Sequence, residues 1–178
     1  ASRRHRQGLD RMSAAGPVLL RAGHRRFAAV YREAERRWCG QFDGVLVTAE
    51  REVAAFGGVR AVVYPNAVPF REVPNVDRDH SIAFSGNLEY APNQQAVRFF
   101  ATEVWPRLRE RHPDLIWRIV GKNPEALAGL LPDDPRIECT GAVQDAVEVL
   151  ARSQIAVVPV LAGSGTRVKI LEAWAAQL

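Results

Sequence analysis

The sequence has few of the residues that build disulfide, metal or membrane sites. Its two cysteines, Cys39 and Cys139, lie far apart and in no metal-ligand spacing, which favours a reduced, cytoplasmic setting. No run approaches the roughly 18 uninterrupted apolar residues that a membrane-spanning helix needs. With 178 residues, 47% hydrophobic and 25% charged, the composition is that of an ordinary soluble globular protein with one good core.

Lysine is almost missing, and the basic residues are unevenly placed. Only Lys122 and Lys169 are lysines, and a lysine is a compact cation suited to a phosphate. Residues 1–40 carry ten arginines against three acidic residues, a net charge of +7, whereas the remainder carries 14 basic and 17 acidic residues, a net charge of −3. A basic segment fits an anionic membrane, nucleic acid or a solvated helix face. Because no nucleic-acid motif is present, we expect no nucleic-acid partner and leave open a peripheral contact at the inner face of the membrane.

Several catalytic signatures are also missing. The sequence has no phosphate loop of the Walker type, no Gly-x-Ser-x-Gly elbow and no Gly-x-Gly-x-x-Gly, which argues against a nicotinamide dehydrogenase among other classes. The four histidines form no ligand pattern with the cysteines. Asp133 and Asp134 stand between two prolines, so we interpret them as a solvated turn rather than as a metal-binding carboxylate pair. We therefore expect no metal site.

The hydrophobic pattern predicts helices and strands that alternate along the chain. In the first part we expect a helix, a strand, a helix capped by Thr48 and a strand, at residues 24–38, 42–47, 48–56 and 61–64. The proline-rich stretch that follows predicts an irregular interdomain linker. Beyond it we expect strands at 81–85, 115–120, 136–139 and 154–160. We expect a helix at 93–111, capped by Asn93 and kinked or broken at Pro106, and further helices at 124–131, 144–152 and from 167 onward.

This alternation predicts a Rossmann-like parallel sheet with flanking helices. Two strand runs, AVVPV and LIWRIV, lack a period of two, as expected for strands that are covered on both faces. Ligands of such sheets bind beyond the carboxyl ends of the strands, where glycine allows close backbone approach. Five glycines follow predicted strands: Gly86, Gly121, Gly141, Gly163 and Gly165.

The start of the last predicted helix has the features of an anion site. Thr166 can cap the helix, whose free N–H groups and dipole favour an anion, and Arg167 and Lys169 add positive charge. Glu172 lies three residues after Lys169, on the same helix face, and its carboxylate can accept hydrogen bonds from a ribose diol. The alternative is a surface Lys–Glu pair that contributes about 0.2–0.5 kcal/mol to the helix. The spacing alone leaves both interpretations open.

Four segments together resemble glycosyltransferase family 4, the group 1 set with the two-domain GT-B fold. They are GNLEYAPN (86–93), IVGKNP (119–124), TGAVQD (140–145) and VVPVLAGSGTRVKILEAWA (157–175), and the resemblance extends over about residues 24–178. It is strongest to bacterial sugar transferases of exopolysaccharide clusters. The resemblance implies residues 1–65 as a remnant of the acceptor-binding domain, 66–78 as a linker, and 79–178 as a donor-binding domain that is incomplete at its C-terminus.

The activity implied by this resemblance is transfer of a sugar, with retention of configuration, from a nucleotide-diphosphate-sugar donor. The acceptor would be a sugar or a lipid-linked sugar in polysaccharide or glycoconjugate synthesis, and no metal or other cofactor would be required. Because catalysis in this family needs both domains, we expect the chain alone to be inactive. Two alternatives stay open: a non-catalytic nucleotide-sugar-binding module, and a nucleotide-sugar epimerase of the same fold.

The resemblance also assigns expected roles to individual residues. Glu172 would hold the donor ribose, Lys169 would act in catalysis by neutralising charge on the diphosphate, and residues near Gly121 and Val143 would lie beside the base. The expected donor-binding residues are Gly86, Asn87, Gly121, Lys122, Gly141, Val143, Gly163, Ser164, Gly165, Thr166, Arg167 and Glu172. The sequence departs from the family pattern at three positions. Ser164 replaces the first of two glutamates, Asn87 replaces an arginine, and Gln177 replaces a residue that is usually glycine.

Overall fold

The computed structural model describes residues 18–54, 56, 58–69, 72, 76–161 and 167–178. For residues 18–26 it describes the backbone only. The chain divides into two compact units. The described part of the first unit is residues 18–54, 56 and 58–66, and the second unit comprises the described residues of 67–161 and 167–178. Within the described residues, no helix is both long and apolar enough to cross a bilayer.

The described part of the first unit contains two helices and a two-stranded parallel sheet. Helix α1 covers Val18–Cys39, strand β1 Val45–Val47, helix α2 Glu50–Val53 and strand β2 Ala61–Val63. Val45 of β1 pairs with Ala61 of β2, and the pairing continues to the ends of both strands. The order of elements agrees with the sequence prediction, but both strands and α2 are shorter than predicted.

The predicted cap at Thr48 is wrong. Helix α2 has Ala49 as its N-cap residue, with no side-chain hydrogen bond from that position. Instead, the buried carboxylate of Glu52 accepts hydrogen bonds from both the backbone N–H and the hydroxyl of Thr48, each at 3.1 Å. The carboxylate of Glu52, inside the helix, therefore accepts from Thr48, and the threonine hydroxyl does not cap the helix.

The second unit is a four-stranded parallel sheet in the order β5-β4-β3-β6. Its strands are β3 (Ser81–Ser85), β4 (Ile116–Val120), β5 (Ile137–Cys139) and β6 (Ile155–Ala156). Its helices are α3 (Ala91–Phe99), α4 (Trp105–Arg111), a 3₁₀-helix (Pro124–Leu127), α5 (Ala146–Leu150) and α6 (Val168–Ala175). The order reverses at β3, since β4 and β5 lie on one side of it and β6 on the other. Such a reversal is where ligands bind in open parallel sheets.

Both faces of this sheet are covered, as the apolar runs predicted. Side chains of Phe84, Trp117 and Ile119 point to one face and join a cluster that includes Phe100 and Trp105 of the helical segment after β3. The alternate positions Ala83 and Val120 face the other side and pack with Leu150, Ala151 and Ala176. The expected α/β fold, a Rossmann-like parallel sheet with flanking helices, is therefore confirmed.

The segment between β3 and β4 is interrupted, as the proline at position 106 predicted. Residues Phe100–Val104 wind as a π-helix, and the Trp105 N–H bonds to the Phe100 carbonyl, five residues earlier. Pro106 has no N–H to give to the carbonyl four residues before it, and its ring would crowd that carbonyl in a regular α-helix. The wider π turn accommodates this defect just upstream of the proline.

One further predicted cap is wrong. Helix α3 begins at Ala91 with Tyr90 as N-cap, because Pro92 occupies its first turn, where a missing N–H is tolerated. Asn93 is therefore inside the helix and buried. Helix α6 has Arg167 as its N-cap, and Thr166, for which a cap was predicted, lies outside the described residues.

The interpretation of Asp134 as a solvated residue is also wrong, although Asp133 beside it is exposed. The carboxylate of Asp134 is buried, where it accepts hydrogen bonds from Trp105 Nε1 at 3.1 Å and from the Arg136 side chain at 3.0 and 3.1 Å. Hydrogen bonding from Arg136 is the main cause that lowers the pKa of Asp134 to about 2. In the part of the chain that the structure describes, no group of three or more His, Cys, Asp or Glu residues can hold a metal ion.

Candidate functional site

A cavity of about 330 Å³ lies beyond the carboxyl ends of β3, β4 and β5. Each strand contributes the residues at its end or just after it, and α6 contributes one carboxylate. The lining residues are Ser85, Gly86, Asn87, Val120, Gly121, Lys122, Ala142, Val143, Ala146 and Glu172. The cavity therefore combines a carboxylate, a cation and apolar side chains at the edge of the sheet where the alternating pattern places a ligand.

The loops after β3 and β4 approach each other closely at two glycines. Gly86 N–H donates to the Val120 carbonyl at 2.9 Å, which extends the pairing of the two strands by one residue. A Cβ on Gly121 would overlap the carbonyl oxygen of Gly86 and would come within 2.9 Å of Leu88 Cγ. Gly121 also forms an isolated bridge with Gly141, whose φ is +71°. The close approach of the first two loops thus excludes a side chain at position 121.

Glu172 is held at the cavity by the last residue of β3. Its Oε2 accepts a hydrogen bond of 2.9 Å from the Ser85 hydroxyl, and Ser85 is itself buried. This contact uses only one of the two carboxylate oxygens. A fixed carboxylate in a cavity can accept further hydrogen bonds from a ligand diol.

Lys169 lies behind the first loop and is largely buried. Its Nζ donates to the Ser85 carbonyl at 2.8 Å and to Asn93 Oδ1 at 3.0 Å, and it sits 4.5 Å from the centroid of the Phe84 ring. Burial lowers the pKa of Lys169 to about 8, and the charge of Arg167 acts in the same direction while that of Glu172 opposes it. The pKa falls because the buried ammonium has lost contact with water, and its two hydrogen-bond acceptors, the Ser85 carbonyl and Asn93 Oδ1, are uncharged.

The structure places the expected site residues in three groups. Six line the cavity: Gly86, Asn87, Gly121, Lys122, Val143 and Glu172. Three do not line it: Gly141 pairs with Gly121, Lys169 binds the Ser85 carbonyl, and Arg167 is the N-cap residue of α6. The remaining four, Gly163, Ser164, Gly165 and Thr166, lie outside the described residues.

Sequence reasoning missed Ser85 and Asn93, which hold the charged residues of this site. Ser85 contacts both Glu172 and Lys169, and Asn93 contacts Lys169. A serine that ends an apolar strand directly before a glycine was the available signal for the first. Asn93 was visible as a capping residue, but its position after a proline at the helix start is what turns it inward.

The fold and cavity define an α/β domain with a cavity at the carboxyl edge of a parallel sheet. The family model for group 1 glycosyl transferases matches residues 79–178, which contain every lining residue of the cavity. This match covers more than half of the chain. The chain therefore belongs to the group 1 glycosyltransferases.

Solved structures share the fold at low sequence identity. The S. aureus protein TarM, determined as a mutant with fondaparinux, alpha-GlcNAc-glycerol and UDP, has a TM-score of 0.67 and 12% identity, covering 83% of this chain and 31% of TarM. The pneumococcal O-GlcNAc transferase GtfA with UDP and GlcNAc has a TM-score of 0.60 and 13% identity, over 83% and 31% of the two chains. The trehalose-6-phosphate synthase OtsA has a TM-score of 0.55 and 15% identity, over 84% and 45%.

These similarities show the GT-B type of α/β fold, and the chain spans less than half the length of each of these structures. A comparison with curated proteins gave no match.

Proposed function

We propose that the cavity at the ends of β3, β4 and β5 binds the nucleotide diphosphate of a sugar donor. The observation that carries this proposal is the Glu172 carboxylate, fixed by Ser85 in a cavity at the reversal point of a parallel sheet. Two proteins of similar fold, TarM and GtfA, were determined with UDP, which supports a nucleotide ligand at this type of domain.

Within this cavity, Glu172 accepts hydrogen bonds from the ribose and the apolar side of the cavity near Val143 receives the base. The loop at Gly86 and Asn87 faces the sugar diphosphate, and the backbone of Ser164, Gly165 and Thr166 completes the phosphate site. Lys169, with Arg167 at the same helix start, offsets the negative charge of the diphosphate. Because these cations can take that role, we propose that turnover does not require a metal.

In the complete protein, the glycosidic bond from the anomeric carbon to the diphosphate breaks, and the diphosphate leaves with the electron pair. The acceptor hydroxyl forms the new bond and loses its proton, and the configuration at the anomeric carbon is retained. The first unit is part of the acceptor-binding domain, and the product belongs to polysaccharide or glycoconjugate synthesis.

Calorimetric titration of the protein with UDP, GDP and ADP tests the donor site directly. We expect one nucleotide to bind, and Glu172→Ala to weaken its binding by about 1.5–3 kcal/mol through loss of charged hydrogen bonds. Glu148→Ala is the matched control, because Glu148 is an exposed glutamate of α5 that does not line the cavity. Absence of binding for all three nucleotides at millimolar concentration would refute the proposal.

Turnover assays separate the transferase from its alternatives. We expect transfer from the matching nucleotide sugar to an acceptor, with an unchanged rate in EDTA and an anomeric configuration, read by NMR, equal to that of the donor. An epimerised donor in the absence of acceptor would identify an epimerase. Nucleotide-sugar binding without any turnover would identify a non-catalytic binding module.

We also propose that α1 makes a peripheral contact with an anionic membrane. Three apolar side chains on this basic helix are strongly exposed, namely Phe27 at 50%, Val30 at 62% and Trp38 at 60%. Apolar residues among arginines favour binding in the headgroup region of a bilayer. Vesicles with anionic lipid should bind the protein, Trp38→Ala should reduce binding, and Trp174→Ala, which removes another exposed tryptophan, should not. Equal binding of both variants, or of neutral vesicles, would exclude this contact.

A further inference from the structure

The pairing of β3 with β6 stops at a proline. The two strands pair at Ile82 and Ala83, and the Val157 N–H still donates to the Ala83 carbonyl at 2.7 Å. Donors to one neighbouring strand recur at every second residue, so the next donor, to the Ser85 carbonyl, would be residue 159. That residue is Pro159, which has no N–H.

Lys169 fills the position of the missing donor. Its Nζ lies 2.8 Å from the Ser85 carbonyl oxygen, so a side chain of α6 satisfies the backbone group that β6 leaves open. Gly86 provides the room for this contact, because a Cβ there would come within 2.7 Å of the same Nζ. The ammonium thus completes the sheet at the edge of the cavity.

Asn93 connects this ammonium to the first loop of the cavity. Its Oδ1 accepts from Lys169 Nζ at 3.0 Å, while its Nδ2 donates to the Asn87 carbonyl at 2.7 Å. Asn93 is 7% exposed, so each end of its amide is used inside the protein rather than in water. A buried amide bonded at both ends is held in one orientation.

We propose that Asn93 is a positioning residue of the donor site, which uses the two ends of its amide to fix the Gly86–Tyr90 loop to Lys169. The functional meaning of this link rests on the proposed donor site, since Gly86 and Asn87 line that cavity. Asn93 itself does not line the cavity, and it acts through the loop and through the ammonium.

The first test needs no ligand. In Asn93→Leu, which keeps the size of the side chain, we expect the amides of residues 86–90 to exchange with solvent at least tenfold faster than in the unaltered protein. In Asn93→Asp the loop should also exchange faster, but the carboxylate retains an acceptor for Lys169. The midpoint of the Lys169 titration, followed by the chemical shift of its side-chain carbon next to Nζ, should therefore rise in Asn93→Asp and fall in Asn93→Leu.

Two charged groups among the described residues act on this titration, namely Glu172 of α6 and Arg167 at the N-cap of that helix. The neighbours of Lys169, which are Phe84 and Ser85 of β3 and Asn93 of α3, do not titrate in the unaltered protein.

The second test uses the nucleotide that binds in the titrations with UDP, GDP and ADP. We expect about tenfold weaker binding in both Asn93 variants. Ser153→Ala is the control, because it removes a buried hydroxyl bonded to Ser81 and Arg118, away from the contacts of Asn93. It should lower the melting temperature without changing loop exchange, the Lys169 midpoint or nucleotide affinity.

Unchanged exchange of the loop and an unchanged Lys169 midpoint in Asn93→Leu would overturn the inference. If that variant does not fold, Asn93→Asp carries the test, and unchanged loop exchange there has the same meaning. If the unaltered protein binds no nucleotide, the proposed function fails, whereas the exchange and titration results still decide whether Asn93 positions the loop.

Discussion

Glu172 Oε2 accepts a hydrogen bond of 2.9 Å from the Ser85 hydroxyl, although 87 residues separate the two in sequence. Lys169, one turn earlier on the same helix, binds the carbonyl of the same serine at 2.8 Å. Both charged side chains of α6 therefore bind the last residue of β3 and do not simply point into solvent from the helix surface. The carboxylate therefore lines the cavity in a position that is already set, and the ammonium is fixed behind it on the same serine.

The first prediction concerns the diphosphate leaving group. Lys169→Ala in the complete protein should lower the turnover number by about two to three orders of magnitude, because the ammonium meets charge that develops as the glycosidic bond breaks. Lys169→Arg should retain part of the rate. Lys122→Ala, at the exposed lysine of the cavity, should mainly raise the KM for the donor. Wild-type turnover with weaker donor binding in Lys169→Ala would show that the leaving group is stabilised elsewhere.

A second prediction follows from the lowered pKa of Lys169, about 8 against the usual 10.5. Donor affinity should fall as the pH rises through 8, because the ammonium loses its charge. The stability contribution has the opposite sign: the cost of burying the charge is full below pH 8 and disappears as the pH rises from 8 to 10.5. Calorimetry and urea unfolding across this range measure the two effects. Lys169→Met should flatten both profiles, and a pH-independent affinity in the unaltered protein would contradict the assignment.

A third prediction concerns the contact between the first two loops. Gly121→Ala places a Cβ against the Gly86 carbonyl oxygen, which is backbone and cannot move alone. We expect the loops to separate and nucleotide binding to be lost. Gly129→Ala is the control, since Gly129 has a φ of +74° but open space around it, so only a conformational cost of about 1 kcal/mol arises. Equal nucleotide binding by the two variants, measured by calorimetry, would show that close approach at Gly121 is unnecessary.

The fourth prediction separates two adjacent aspartates. Asp134→Asn should lower the free energy of unfolding by about 1.5–3 kcal/mol, because charged hydrogen bonds with Arg136 are lost, whereas Asp133→Asn should have little effect. Since the pKa of Asp134 is lowered to about 2, its contribution is full above pH 3.8 and is lost as the pH falls through 2. Urea unfolding between pH 7 and 2 should show a smaller acid loss for Asp134→Asn. An identical acid profile would assign that loss to other carboxylates.

A fifth prediction concerns the residue that follows α6. Gln177 has a φ of +59°, the left-handed region that glycine adopts without a steric penalty. Glycine removes the steric cost of this left-handed conformation, about 1–2 kcal/mol, and adds a backbone entropy cost of about 0.5–1 kcal/mol. Gln177→Gly should therefore raise the free energy of unfolding by about 0.5–1 kcal/mol. Gln144→Gly, at an exposed glutamine without positive φ, should lower it. Denaturation midpoints of the two variants decide the point, and a loss of stability in both would disprove it.

The sheet and the place of the cavity were accessible from the sequence because both follow from backbone rules. Apolar runs without alternation marked β4 and β6 as strands covered on both faces, and the glycines after β3 and β4 marked the edge where the cavity lies. The family resemblance then pointed to Glu172, which does line that cavity. The roles assigned to Gly163, Ser164, Gly165 and Thr166 stay predictions.

Contacts between distant side chains were not accessible in the same way. The polar pair at 133–134 gave no sign that Trp105, 29 residues earlier, supplies a partner for only one of its members. Asparagine is a common N-cap residue, so the sequence suggested a cap at Asn93. Only the packing of α3, α6 and the loop after β3 shows that its amide binds Lys169 and the Asn87 carbonyl. The predicted strand at 154–160 is longer than the observed β6, Ile155–Ala156, because Pro159 has no N–H to continue the pairing with β3.

The π-helical segment Phe100–Val104 determines the rotation of the following helix, α4, about its axis. A turn that holds more than 3.6 residues advances by a smaller angle per residue, so α4 starts from a rotated position relative to an uninterrupted α-helix. In that rotated frame Trp105 is fully buried and its indole reaches Asp134. The π-helical turn that accommodates Pro106 therefore also determines which face of α4 contacts Asp134. That residue lies in the segment between the 3₁₀-helix and β5.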